Sequence, residues 1–210
     1  MQVRGLVYDC DGVLFESRRA NLAYYNAILQ AFGHEPVTED QQELARLCHT
    51  ADSATVLRRL LGPGLAERAL EMASRLDYRQ FIGFMSPEPG MVDTLRTLAR
   101  RLPLAVATNR GGSMPAILCH FELESCFSAV VTSRDVQRPK PAPDMLLLAA
   151  ERLDVAPHSL LFVGDSHLDR QAAEAAGMPF VAYGGEVTGD WTVNSHRELR
   201  ELVDRVSADA

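Results

Sequence analysis

Eight residues near the start of the chain, Val7-Tyr8-Asp9-Cys10-Asp11-Gly12-Val13-Leu14, constrain the fold more than any other stretch. Arg4 to Tyr8 reads as a buried strand, because Leu6, Val7 and Tyr8 all suit a pleated, covered surface. Side chains alternate along a strand, so Asp9 and Asp11 share one side while Cys10 faces away. Gly12 then allows a sharp turn or a close approach to a ligand. Two carboxylates converging at the end of a strand concentrate negative charge, and a metal cation or a proton is the usual remedy.

The rest of the chain says what such a strand pairs with. Residues 15–86 read as almost purely helical, in about four pieces set by start and stop signals. Ser17 to Phe32 carries Leu22, Tyr25, Ile28, Leu29 and Phe32 at helical spacing and stops at Gly33. Thr38-Glu39-Asp40-Gln41 fits a capping box that opens a second helix through Leu44 and Leu47. Asp52 or Ser53 caps a third, Ala54 to Leu61, and Leu65 to Phe81 forms the fourth. From residue 87 onward strands and helices alternate. Strands are expected at Leu104–Ala107, Ala129–Thr132, Leu160–Val163 and Phe180–Tyr183, giving about five with the first. Such alternation predicts an α/β fold, a parallel sheet with helices on both faces and a helical insertion after the first strand. Ligands of these sheets bind beyond the carboxyl ends of the strands, at the topological switch point.

Those strand ends hold the chain's chemistry. After the first come Asp9 and Asp11. After Ala107 comes Thr108-Asn109-Arg110-Gly111-Gly112, a hydroxyl followed by amides that can cradle an anion. Beyond Thr132 lies Arg138-Pro139-Lys140-Pro141, where prolines on both sides stiffen the lysine's backbone. After Val163 comes Gly164-Asp165-Ser166-His167-Leu168-Asp169, with two more carboxylates. Carboxylates suit a hard cation, whereas threonine, amides and lysine suit a phosphate. An acidic metal site beside a cationic phosphate cradle is what phosphoryl transfer needs.

Composition narrows the partners. A net charge of −7 argues against a nucleic-acid-binding face, and no apolar stretch is long enough to span a bilayer. Cys10, Cys48, Cys119 and Cys126 form no CxxC pair, which suits reduced thiols and a cytoplasmic location. The expected partner is a small phosphorylated metabolite, with the protein a monomer or homodimer.

In order and at strand ends, DxDG(T/V), a Ser/Thr, a lysine and GDxxxD resemble the four motifs of the haloacid dehalogenase superfamily of phosphatases. The helical insertion resembles the cap of its phosphoglycolate phosphatase and β-phosphoglucomutase branch. The resemblance implies a Rossmann-like core of residues 1–14 and 87–210 and a cap of residues 15–86. It assigns Asp9 as nucleophile and Asp11 as general acid and base. Mg²⁺ would be held by Asp9, the backbone carbonyl of Asp11 and Asp165, with Asp169 in the outer shell or orienting Lys140. Thr108 and the amides of Asn109 and Arg110 would grip the phosphoryl oxygens, and Lys140 would neutralise charge.

In relatives the loop between the second and third cap helices reaches the site, which here points to His49, Thr50 and Ala51. That loop carries no arginine, and Arg18 and Arg58 are the cap cations that could supply a charge for an anionic leaving group. Val13 and Glu16-Ser17 lean towards the mutases, Thr108-Asn109 towards the phosphatases. The expected function is a Mg²⁺-dependent phosphatase of the phosphoglycolate phosphatase kind. A phosphomutase and a non-catalytic phospho-ligand binder are the alternatives.

Overall fold

A computed structural model describes residues 2–208. Six parallel strands form the central sheet: β1 (Gly5–Tyr8), β4 (Leu104–Thr108), β5 (Ala129–Thr132), β6 (Leu160–Gly164), β7 (Phe180–Tyr183) and β8 (Trp191–Val193). Their order is β5-β4-β1-β6-β7-β8. The chain leaves β1 towards β4 and β5 on one side, then returns to β6 on the other. The switch point therefore lies at the carboxyl end of β1, directly above Asp9.

Alternation along the strands builds two apolar layers. Leu6, Tyr8, Leu104, Val106, Leu161 and Val163 face one layer, with α6 (Met91–Leu98), α7 (Met114–His120) and α10 (His196–Ala208) packed beneath them. Val7, Ala105, Ala107, Leu160 and Phe162 face the other, covered by α8 (Asp144–Leu153) and α9 (His167–Ala176). Cys10 joins the side of Leu6 and Tyr8, so Asp9 and Asp11 are on the opposite side of the chain from it.

The helical insertion comprises α1 (Arg18–Ala31), α2 (Gln42–Thr50), α3 (Ser53–Leu61), α4 (Pro63–Arg75) and the short α5 (Arg79–Ile82). A third apolar cluster, including Tyr25, Ile28, Leu29, Val56, Leu57 and Ala69, lies among α1 to α4. Ala20, Tyr78, Phe81, Ile82 and Met85 instead join the cluster under β1. The two crossings between insertion and sheet are tied by an antiparallel pair, β2 (Phe15–Glu16) with β3 (Ser86–Pro87).

Several sequence expectations are corrected. The sheet has six strands rather than five, because the three residues of β8 pair in parallel with β7. The fourth helix is not continuous to Phe81. It ends at Arg75, and Asp77 accepts the Arg79 amide at 3.1 Å to start a new turn. Thr38 does not open the second helix, which begins at Gln42. The Gln41 side chain takes the Thr38 amide at 3.0 Å and closes a turn ahead of it. Asp52 does cap α3, accepting from the amides of Ala54 and Thr55.

Candidate active site

The strand ends around β1 bring Asp9, Asp11, Thr108, Lys140, Asp165 and Asp169 to one crevice. The Lys140 ammonium, buried, donates to Asp9 Oδ1 at 2.8 Å, Asp169 Oδ1 at 2.6 Å and the Ala107 carbonyl at 3.1 Å. Burial alone would pull the lysine's pKa down, but the facing carboxylates of Asp169 and Asp9 push it above its ordinary value. The Lys140 backbone is clamped by Asn109, whose Oδ1 accepts the Lys140 amide at 3.0 Å and whose Nδ2 donates to the Lys140 carbonyl at 3.1 Å. The same Nδ2 reaches the Thr50 carbonyl at 3.2 Å, so one amide side chain joins the second motif, the lysine loop and the helical insertion.

Asp169 is fully buried and both its oxygens are engaged. Oδ1 takes Lys140, and Oδ2 takes the amide and hydroxyl of Ser166 at 3.1 and 2.5 Å. Ser166 in turn accepts the Asp169 amide, which completes a capping box at the start of α9. Asp165 is different. It makes no ion pair or side-chain hydrogen bond among the described residues, and burial plus the carboxylates of Asp169 and Asp9 push its pKa up to about 8. Asp9 is pushed up to about 7 by burial, against the pull of Lys140. Carboxylate oxygens of Asp9, Asp165 and Asp169 lie within 4.8 Å of one another, which is room for one cation. Gly12 makes this possible: its φ is +75°, and a Cβ there would fall 2.7 Å from the Asp165 Cγ.

Asp11 has another set of partners, all on Oδ1. Arg110 donates to it through Nε at 3.1 Å and Nη2 at 2.5 Å, Asn21 through Nδ2 at 3.1 Å, and the Ser17 hydroxyl also reaches it. Burial works to raise the Asp11 pKa, but Arg110, and after it His49, hold it below its ordinary value. Asn21 Oδ1 accepts from Tyr78 Oη at 3.0 Å and Arg110 Nη2 at 2.7 Å. Its Nδ2 must then face Asp11 and His49 Nδ1, which lies 3.3 Å away. The Arg110 guanidinium also lies over the Tyr78 ring, 4.9 Å from its centre.

Sequence reasoning assigned Arg110 a backbone role, and the structure gives that amide to Thr108 Oγ1 at 3.2 Å. The arginine's side chain is what enters the site. Ser17, Asn21 and Tyr78 were also missed. Ser17 and Asn21 follow the first motif on the start of α1, which is the signal that could have found them. Of the residues expected in the loop between the second and third cap helices, His49 and Thr50 belong instead to the last turn of α2; His49 is buried with Asn21 at its Nδ1, whereas the Thr50 hydroxyl returns to the Arg46 carbonyl at 3.1 Å. Arg18 pairs with Glu16 and Glu186, and Arg58 does not line the cavity. That cavity, about 490 Å³, lies between the strand ends and the helical insertion and includes Asp9, Asp11, Thr108 and His49 in its walls.

A parallel sheet with a helical insertion, and an acidic cluster beside a buried lysine at its switch point, define an α/β protein whose strand-end site is suited to a cation and an anionic ligand. The chain belongs to the haloacid dehalogenase-like hydrolases, whose family pattern matches residues 6–183. It is 34% identical to the phosphoglycolate phosphatase of Escherichia coli O157:H7 over 85% of this chain and 80% of that one. The crystal structure of a subfamily IA haloacid dehalogenase hydrolase from Geobacter sulfurreducens superposes with a TM-score of 0.83 at 40% identity, covering 95% of this chain and 99% of the other. The β-phosphoglucomutase of Clostridium difficile shares the fold at a TM-score of 0.83 and 16% identity, over 99% and 98% of the two chains. The protein is a hydrolase of this family with an acidic cluster at its strand ends. Among the described residues no helix is long and apolar enough to cross a membrane.

Proposed function

We propose that this protein is a Mg²⁺-dependent phosphatase of small phosphomonoesters that works through an aspartyl-phosphate, with a substrate of the phosphoglycolate kind. The observation that carries the reading is the division of labour between Asp9 and Asp11. Asp9 lies against Lys140 and the acidic cluster, whereas Asp11 is anchored through one oxygen only.

The donor set fits a hard divalent cation. The cluster offers only carboxylate oxygens, and Asp165 has no cationic partner of its own among the described residues. Asp9, Asp165 and the Asp11 carbonyl would hold the ion, with Asp169 behind them fixing Lys140. When bound, Mg²⁺ neutralises the negative charge that Asp9 and a phosphate dianion bring together.

Asp9 attacks phosphorus, forming an acyl-phosphate bond as the bond to the leaving oxygen breaks. Asp11 Oδ2, left free by the anchoring of Oδ1, gives the leaving alkoxide its proton. It then takes a proton from the water that cleaves the acyl-phosphate. In the resting network Arg110 favours the ionised form of Asp11. An entering phosphate dianion works against that and favours the protonated form. Thr108 and the Asn109 amide contact the phosphoryl oxygens, and Lys140 balances the charge of both Asp9 and phosphate. Residues 15–86 act as a cap over the core of residues 1–14 and 87–210, hinged at the β2–β3 pair, with His49 and Thr50 facing the leaving group. A cytoplasmic location and a monomeric or homodimeric state belong to the same proposal.

The test is phosphate release from a panel of phosphomonoesters, with and without Mg²⁺, for the wild type and Asp9→Asn. Mg²⁺-dependent release that falls at least about a thousandfold in Asp9→Asn is expected. No release from any ester by folded, Mg²⁺-loaded protein refutes the proposal. Turnover that requires a bisphosphate activator points to a phosphomutase.

A further inference from the structure

The cavity walls contain two arginines, Arg110 and Arg134. Arg110 is committed to Asp11 and Asn21, and the nearby Lys140 to Asp9 and Asp169. Arg134, two residues beyond the end of β5, has no ion pair and no side-chain hydrogen bond among the described residues. Its sequence neighbour Asp135 cannot serve it. One Asp135 oxygen takes the amide and hydroxyl of Thr132 at 2.9 and 2.7 Å, and the other takes Arg152 at 2.9 Å. The acidic residues of the cavity wall are spoken for as well: Asp77 holds Arg79, and Asp52 caps α3.

The guanidinium lies beside the glycine pair that follows Arg110. A Cβ on Gly112 would fall 2.8 Å from the Arg134 Cζ, and one on Gly111 would fall 3.4 Å from Nε. Tyr24 of α1 lines the same cavity, and the charge of Arg134 opposes the rise that burial gives the Tyr24 hydroxyl. The catalytic cavity thus has in its wall an exposed cation that has no ion pair among the described residues.

We propose that Arg134 is a specificity-determining residue that binds an anionic group at the distal end of the leaving group, a carboxylate or a second phosphate. The inference rests on the phosphatase reading and narrows its substrates to esters of anionic alcohols. The charge that the loop at residues 49–51 lacks comes from the core, beside the second motif, and not from Arg18 or Arg58. Arg134 takes no part in bond making. Its contribution is to hold a doubly anionic substrate in place, so it acts on KM more than on kcat.

Two pairs of esters test this, each differing only in the distal group, with the Mg²⁺-loaded protein and its Arg134→Gln and Arg134→Lys variants. The first pair is phosphoglycerate against glycerol phosphate, with the phosphate on the terminal carbon. The second is propanediol bisphosphate against propanediol monophosphate. The wild type should favour the anionic member of at least one pair. Arg134→Gln should raise KM for that ester about tenfold, the loss of one hydrogen bond to a charged group. Its kcat should stay within about twofold, as should kcat/KM for the neutral partner, and Arg134→Lys should recover part of the difference. The favoured pair identifies carboxylate or phosphate. Equal use of charged and neutral esters by the wild type overturns the inference and leaves the phosphatase reading standing, as does an equal loss on both in Arg134→Gln. No release from any of the four overturns the phosphatase reading and this inference with it.

Discussion

Asn21→Asp is the most searching perturbation of this site. The change is isosteric. It keeps an oxygen for Tyr78 and Arg110 and turns the Nδ2 donor that faces Asp11, 3.1 Å away, into an oxygen. Two carboxylates at that separation repel by about 5 kcal/mol at an effective dielectric of about 20. The new carboxyl can escape by taking a proton, which at pH 7 costs about 4 kcal/mol from an ordinary pKa near 3.9. The penalty at neutral pH is therefore capped at about 4 kcal/mol, and Arg110 reduces it to about 2–3 kcal/mol by facing both groups. The sign follows from linkage. The folded-state pKa is raised, so the penalty is absent below about pH 4, grows as pH rises and levels off once the folded group ionises. Urea unfolding of the wild type, Asn21→Asp and Asn21→Ala at several pH values between 4 and 8 measures it. Asn21→Ala orphans the same partners without adding charge, so its loss of about 2 kcal/mol should be nearly flat with pH. A flat Asn21→Asp penalty, or one that shrinks with rising pH, would refute the assignment of Nδ2 to Asp11. Both variants should lower kcat by about ten- to a hundredfold, because Asp11 loses its anchor from α1.

Two further outcomes follow from the acidic cluster. The raised pKa values of Asp9 and Asp165, about 7 and about 8, mean that metal-free protein loses stability as pH rises from about 4 towards 8. Mg²⁺ should restore it, and binding near pH 7 should release protons, as titration calorimetry in buffers of different ionisation enthalpy would show; proton-neutral binding would contradict the burial argument. Gly12→Ala should strain the turn at φ +75° and drive its Cβ into Asp165. Mg²⁺ affinity should drop about tenfold or more, and unchanged affinity would mean that Asp165 has room to move away.

The β-strands at 104–108, 129–132, 160–164 and 180–183 were readable because buried parallel strands are short apolar runs, and their ends pointed to the carboxylates and the lysine. β8 escaped because its three residues follow a glycine-containing loop and owe their strand geometry to the edge of β7. The break between α4 and α5 had a local signal in Asp77, which the apolar spacing across it hid. Ser166 and Asp169 also stood at capping-box spacing, and Asp169 serves both as a partner of Lys140 and as part of a helix start.

Arg110 and Arg134 mark the limit. Both are arginines in loops after strands, the commonest sign of a solvated charge. One is buried against Asp11, Asn21 and Tyr78, and the other is exposed and, among the described residues, unpaired beside Gly111 and Gly112. Local sequence determined the strands, the switch point and the carboxylates, because each is set by neighbours within a few positions and by a fixed right-handed connection. The partners of Asp11 come from positions 17, 21 and 110, brought together only when the helical insertion packs back over the sheet. Which of two chemically identical guanidinium groups is neutralised and which is left free was decided there, by contacts between segments that the sequence keeps far apart.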